Sequence, residues 1–63
     1  MHSNTASSIG SRHTFGAFGP VYEVLKTVKH LEQDDCLMRV RVLESGEELD
    51  YRYSKIKDDP EAR

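Results

Sequence analysis

The sequence predicts a small β-rich domain organised on one antiparallel hairpin, and two alternating runs joined by a turn signal predict it. Residues 36–43, Cys-Leu-Met-Arg-Val-Arg-Val-Leu, put Met38, Val40 and Val42 on one face and Arg39 and Arg41 on the other. That is the period of two which a pleated strand imposes. Residues 48–53, Glu-Leu-Asp-Tyr-Arg-Tyr, likewise set Leu49, Tyr51 and Tyr53 against Glu48, Asp50 and Arg52. Ser45-Gly46 lies between the runs and supplies the turn. An even loop centred there places Val42 opposite Leu49, Val40 opposite Tyr51, Met38 opposite Tyr53 and Arg41 opposite Asp50. A one-residue slip would set Val40 against Asp50, because register shifts of one exchange the faces of a strand. The apolar pattern therefore selects the even loop.

Residues 20–32, Pro-Val-Tyr-Glu-Val-Leu-Lys-Thr-Val-Lys-His-Leu-Glu, support two readings. Val21, Val24, Leu25, Val28 and Leu31 follow a helical stripe, and Pro20 suits a first helical position. Val, Tyr and Thr favour strands instead, and β-branched Val24 and Val28 are stiff in a helix. Spacing alone leans to a helix packed on the hairpin. Asp34-Asp35 reads as a loop. Ser54-Lys-Ile-Lys-Asp58 reads as a short C-terminal turn in which Ile56 closes the core, and Asp59-Pro60-Glu61 has cap chemistry with too little chain to continue.

With 63 residues the chain has room for one domain, which buries only about 60% of its unfolded surface. A core of that size favours a very regular fold or completion by a partner. Residues 1–19 carry one charged side chain, Arg12, and no hydrophobic period. A flexible tail is expected over 1–13, with a single β-rich domain over 14–63. The opening stretch has no apolar signal region, no run is long enough to span a bilayer, and Cys36 has no partner for a disulfide. A cytoplasmic protein is expected.

Three strings stand out: Phe15-Gly-Ala-Phe-Gly-Pro-Val-Tyr-Glu-Val24, Met38-Arg-Val-Arg-Val-Leu-Glu-Ser-Gly-Glu-Glu48 and Asp58-Asp-Pro-Glu-Ala62. Together they resemble a family of very short uncharacterised bacterial proteins, a domain of unknown function. The shared pattern is an FGxFGPxYEV opening, an SGE or TGE hairpin turn and a closing DPxA. The resemblance spans about residues 14–62 and carries no activity. It implies that Tyr22-Glu23-Val24 is a strand, because Gly or Pro commonly follows that triplet in the pattern and would interrupt a helix. This chain has Leu25-Lys26-Thr27 there, a departure that keeps the helical alternative open.

Each candidate site has a plain structural reading beside the functional one. Phe15 and Phe18, set among glycines, either lay two rings over the sheet or anchor an arm in a partner's pocket. Tyr51 and Tyr53 beside Arg39, Arg41 and Arg52 could stack on bases and hold phosphates, but the alternation turns the tyrosines inward. A net charge of −2 also argues against nucleic acid. His2, His13, His30 and Cys36 lack the close spacing of a zinc site. Cys36 as a nucleophile would need a base and an orienting group, and His30 is separated from it by an acidic loop. The acids Asp34, Asp35, Asp58 and Asp59 read as solvated loop residues.

The expectation is thus a three-stranded antiparallel meander or partial SH3-like barrel with strands near 20–26, 36–43 and 48–54. Its alternative is one helix at 20–32 on the hairpin. No catalytic, cofactor or metal site, small-molecule ligand or membrane contact is expected. The expected role is a non-enzymatic module that binds a protein partner or itself. The exposed edge from Val21 to Lys26 and the Phe15–Tyr22 arm would make the contact, with Phe15, Phe18, Tyr22, Val24, Arg39 and Arg41 as contact residues. A nucleic-acid-associated regulator or small antitoxin-like protein is the second reading.

Overall fold

The computed structural model describes residues 8–62. Four antiparallel strands, β1 (Arg12–Thr14), β2 (Val21–His30), β3 (Cys36–Val42) and β4 (Glu48–Arg52), form one open sheet in the order β1-β2-β3-β4. A six-residue helix, α1 (Tyr53–Asp58), follows. The β-rich class stands. The three-stranded version of it is short by β1, and the expected C-terminal turn is a helical turn and a half.

β1 lies in a segment with no hydrophobic period because its backbone, not its side chains, joins the sheet. Arg12, His13 and Thr14 pair with Glu23, Tyr22 and Val21. Just before them, Gly10 N–H donates to Val24 O and Val24 N–H donates to Ser11 O. The ordered domain therefore begins before Thr14. Of the expected 1–13 tail, residues 8–13 belong to the fold, and residues 1–7 lie outside the described residues.

β2 is a strand, which overturns the helix at 20–32, and it carries two bulges. Its pairing with β3 shifts register between Val24 and Lys26 and again between Thr27 and Lys29. Each bulge inserts a residue and delays the next inward position by one. The residues opposite β3's buried side are Val24, Thr27 and His30, facing Val40, Met38 and Cys36. Of the stripe Val21, Val24, Leu25, Val28 and Leu31, only Val24 is buried, and Val28 is exposed. β2 also runs to His30, beyond the expected end near residue 26.

The β3–β4 hairpin keeps the predicted faces in a different register. Val40 faces Leu49, Met38 faces Tyr51, Arg39 faces Asp50 and Arg41 faces Glu48. Every expected partner is displaced by two. The loop is Leu43-Glu44-Ser45-Gly46: Val42 N–H donates to Glu47 O at 2.8 Å and Gly46 N–H to Val42 O at 2.7 Å, with φ of 76° at Gly46. The loop has four residues but is centred one position earlier than expected. A slip of two preserves the faces of both strands, so alternation alone cannot detect it. Tyr53, expected opposite Met38, starts α1 instead.

Tyr22, Val24, Cys36, Met38 and Val40 line the inner face, and Ile56 of α1 closes it as expected; Phe15, Leu49, Tyr51 and Tyr53 pack around them. The helix is too short to be stable by itself, and its own N-cap residue, Arg52, makes no side-chain cap. Asp35, in the β2–β3 turn, does that work from a distance. Its Oδ1 accepts Ser54 N–H at 3.0 Å and Cys36 N–H at 2.8 Å, and its Oδ2 accepts the Ser54 hydroxyl at 2.9 Å. The turn that presents it holds Gln33 and Asp34 at φ of 61° and 62°, the paired left-handed residues of a type I′ hairpin turn. Beyond α1 the chain returns to β1. Ala62 N–H donates to Arg12 O and Thr14 N–H to Pro60 O, and Glu61 bridges His13.

Desolvation opposes ionisation of Asp35, but the bonds from Ser54 and Cys36 and the nearby charge of Arg52 outweigh it and hold the carboxyl below its ordinary value. A depressed folded value contributes stability above the unfolded pKa of about 3.9, and that contribution disappears as pH falls through the folded value. Asp35→Asn should therefore lower the thermal midpoint at neutral pH and flatten the acid limb below about pH 4. Melts followed by circular dichroism across that range check this; an acid limb identical to the parent's would remove Asp35 from the account.

Candidate functional site

The β1–β2 connection is the most specific string in the sequence, and it forms a clamped hairpin loop rather than a loose arm. Phe15 N–H donates to Pro20 O at 3.2 Å, continuing the ladder one step past the Thr14–Val21 pair. Gly16-Ala17-Phe18-Gly19 make the tip. Gly16 has φ of 69°, which favours glycine, and a Cβ on Gly19 would collide with the Phe15 carbonyl. The Thr14 hydroxyl donates to Gly16 O and ties the base of the loop.

The two phenylalanines have opposite fates. Phe15 turns inward, its ring centroid 4.3 Å from that of Tyr22 and 5.2 Å from that of Tyr51, which it meets edge to face. Tyr22 and Tyr51 are themselves 5.5 Å apart at 75°, completing a three-ring cluster, and His13 stacks on Tyr22. Phe18 points away from the protein and is fully exposed, at 101% of its reference area.

Asp59 fastens this loop to the core. Its Oδ2 accepts the Tyr22 hydroxyl at 2.6 Å and the Tyr51 hydroxyl at 3.0 Å, and its Oδ1 accepts Gly16 N–H at 3.2 Å. Burial pushes the Tyr22 phenol well above its ordinary value, and the bond to Asp59 with the negative potential there adds to the rise. Tyr51 is raised by the same causes in the same order. A carboxyl accepting from two phenols and a loop amide leaves the tip little freedom. Phe18 is therefore presented from a rigid base.

The contact residues expected from sequence divide accordingly. Tyr22 and Val24 are fully enclosed and present nothing to a partner in this fold; Phe15 is a core-packing ring. The Val21–Lys26 edge is not open throughout, because β1 and residues 10–11 cover Val21 to Val24. Among the described residues no strand pairs with that side of β2 from Leu25 to His30. Arg39 and Arg41 lie on the uncovered face. Arg39 Nε sits 2.9 Å from Asp50 Oδ1 and its Nη1 3.9 Å from Glu48 Oε1, with Nε out of hydrogen-bonding alignment, so these are charge contacts. Arg41 is exposed.

Three groupings escaped sequence reasoning. Asp35 and Asp59 are each the second acid of an Asp-Asp pair, and each turns back to serve distant backbone and hydroxyl donors. Buried tyrosine hydroxyls need acceptors, so Tyr22 and Tyr51 were the available signal for Asp59. Cys36 and His30 prove to be cross-strand partners, with Sγ 3.2 Å from Nδ1. The thiol is only 3% exposed, and Asp35, the nearest carboxyl in sequence, is committed to Ser54 and Cys36 N–H. Among the described residues no group of three or more His, Cys, Asp or Glu is arranged to hold a metal, and no helix is long and apolar enough to cross a membrane.

The comparisons with known proteins place the chain in a short uncharacterised family. The profile of a family of unknown function, DUF5397, matches residues 1–63. The chain belongs to this family. Similar to it is an uncharacterised protein of Haemophilus influenzae, 42% identical over 48 residues, which are 76% of this chain and 76% of the relative. The family attaches no activity to the fold, so the functional argument rests on what the surface presents.

Removing the Tyr22 hydroxyl tests how firmly the loop is held. Tyr22→Phe keeps the ring and should cost about 1.5 kcal/mol, the lower end for a bond to a charged acceptor, since Asp59 retains two donors. A raised phenol pKa contributes stability in full below the unfolded value of about 10 and loses it as pH rises beyond. The parent should therefore destabilise above about pH 10, and Tyr22→Phe should weaken that alkaline dependence. Urea titrations across this range decide it; an alkaline limb of unchanged steepness would mean that Tyr22 is not the titrating group.

Proposed function

We propose that this protein is a non-enzymatic interaction module which docks a protein partner, or a second copy of itself, through the β1–β2 loop. Phe18 is the anchor. The observation that carries the reading is the contrast between a fully exposed ring and the rigid frame beneath it. An exposed Phe contributes nothing to folding in this geometry, yet two glycines, the Asp59 bond and the Phe15–Pro20 pair all serve to hold its loop in one shape. A pre-shaped aromatic tip loses little conformational freedom on docking and can fill an apolar pocket, the usual anatomy of an interface hot spot. The side of β2 from Leu25 to His30 offers backbone donors and acceptors that a partner strand could extend. A small core adds motive for association, since completion by a partner supplies area that the chain lacks.

Phe18→Ala and Phe15→Ala separate anchoring from folding. Phe18→Ala should leave folding stability within about 0.5 kcal/mol of the parent while weakening partner binding, or self-association measured by concentration-dependent sedimentation, by roughly 30-fold. Phe15→Ala should instead destabilise the fold by about 2 kcal/mol or more. A Phe18→Ala protein that associates as strongly as the parent would remove the anchor.

A further inference from the structure

The sheet's uncovered face carries a charge that the whole-chain total conceals. Register places its side chains in three cross-strand rows, since directly paired residues share a face. The first row runs Arg12, Glu23, Arg41, Glu48; the second Lys26, Arg39, Asp50; the third Lys29, Leu37, Arg52. Six basic side chains stand among three acidic ones, a surplus of three positive charges on a chain whose formal net charge is −2. The other eight acids lie off these rows, as do Lys55 and Lys57 of α1. The ring cluster, Ile56 and α1 all occupy the opposite face. The uncovered face is thus a basic side of an acidic chain.

The acids on that side do not consume its cations. Arg12 reaches Glu23 at 3.7 Å and Arg39 takes both Asp50 and Glu48. Among the described residues, Lys26, Lys29 and Arg41 form no ion pair, and all three are exposed. Lys26 and Lys29 occupy successive rows of β2, and Arg41 lies on the neighbouring strand β3 one row from Lys26, with the strands about 4.8 Å apart.

We propose that this face binds the phosphate backbone of a nucleic acid without reading its sequence, a contact separate from the Phe18 loop. Three features select that partner. Face-to-face pairing with a second copy would oppose two surfaces of the same positive surplus. Protein–protein interfaces centre on aromatic and apolar side chains and are depleted in lysine, whereas these rows carry Lys26 and Lys29 and a single apolar side chain, Leu37. No aromatic residue lies on the three rows to stack on a base, so recognition is confined to charge.

The test uses the full chain, a short fluorescently labelled DNA duplex and an RNA single strand, each in two unrelated sequences, with anisotropy followed as salt is raised. Three phosphate contacts predict a roughly 40-fold loss of affinity for the duplex and roughly 20-fold for the single strand between about 50 and 200 mM salt, similar for both sequences of each. Lys26→Ala, Lys29→Ala and Arg41→Ala combined should abolish most of that salt dependence while the thermal midpoint stays near the parent's. Lys55→Ala with Lys57→Ala, off the face, should bind as the parent does. The proposal is overturned by an absence of binding at the lowest salt, by equal binding of the folded triple variant, or by salt-insensitive binding. Tighter retention on poly-glutamate than on either nucleic acid would also overturn it, in favour of an acidic protein partner. Phe18→Ala should leave nucleic-acid binding intact, so failure of this reading and failure of the loop reading are distinguishable.

Discussion

Three donors converging on the Asp59 carboxyl tie together four parts of the chain that lie far apart in sequence. Tyr22 comes from β2, Tyr51 from β4, Gly16 from the β1–β2 loop, and Asp59 itself from the segment after α1. A sheet this small has no second layer broad enough to cover it, so its inner face is roofed by one short helix and by side chains leaning over from the edges. Phe15 is one such side chain, and its place depends on the loop that Asp59 pins. Two phenols brought into an apolar cluster each need an acceptor, since an unpaired buried hydroxyl costs about 1–3 kcal/mol. One carboxyl meets both needs and anchors a loop at the same time.

Asp35 repeats the arrangement at the other end of the sheet, joining the β2–β3 turn to the start of α1. Neither acid was legible as structural. Each follows another Asp, and a pair of adjacent acids in a loop has the composition of a solvated turn. What distinguishes the inward member is the position of donors far away in sequence, thirty-seven residues in the case of Tyr22 and nineteen for Ser54. Local pattern holds no trace of such distances. The same limit hid the Cys36–His30 contact, which exists because bulges in β2 return His30 to the inner face opposite Cys36.

Faces were legible where registers were not. Met38, Val40, Leu49 and Tyr51 point inward as their alternation requires, because burial of apolar surface acts on each strand separately. Register depends on the turn, and the turn tightened around Leu43–Gly46 rather than closing symmetrically about Ser45-Gly46. β1 was illegible for a related reason. A three-residue strand that contributes backbone hydrogen bonds and one stacked histidine has no hydrophobic signature to find. In the FGxFGP string the reverse holds: its glycines marked a special backbone correctly, while nothing in the string distinguishes the inward phenylalanine from the outward one. Gly16 and Gly19 shape the tip, and only the position of Asp59 and the tyrosine rings decides which side of the loop is roof.

The division of the sheet into two chemically unlike faces follows from having so little chain. One helix and a handful of rings can cover one side of a four-stranded sheet, and here they cover only that side. An antiparallel sheet tolerates a solvated second face, which must then be charged and broken in pattern if it is not to aggregate. Alternating Arg and Glu along the Arg12–Glu48 row would meet that requirement with no net charge at all. The other two rows depart from neutrality: Lys26, Lys29, Arg39 and Arg52 share them with one acid, Asp50. Solubility does not require that imbalance, and folding gains nothing from placing like charges on neighbouring strands. A polyanion laid across the face, as proposed above, would offset the cost of their mutual repulsion.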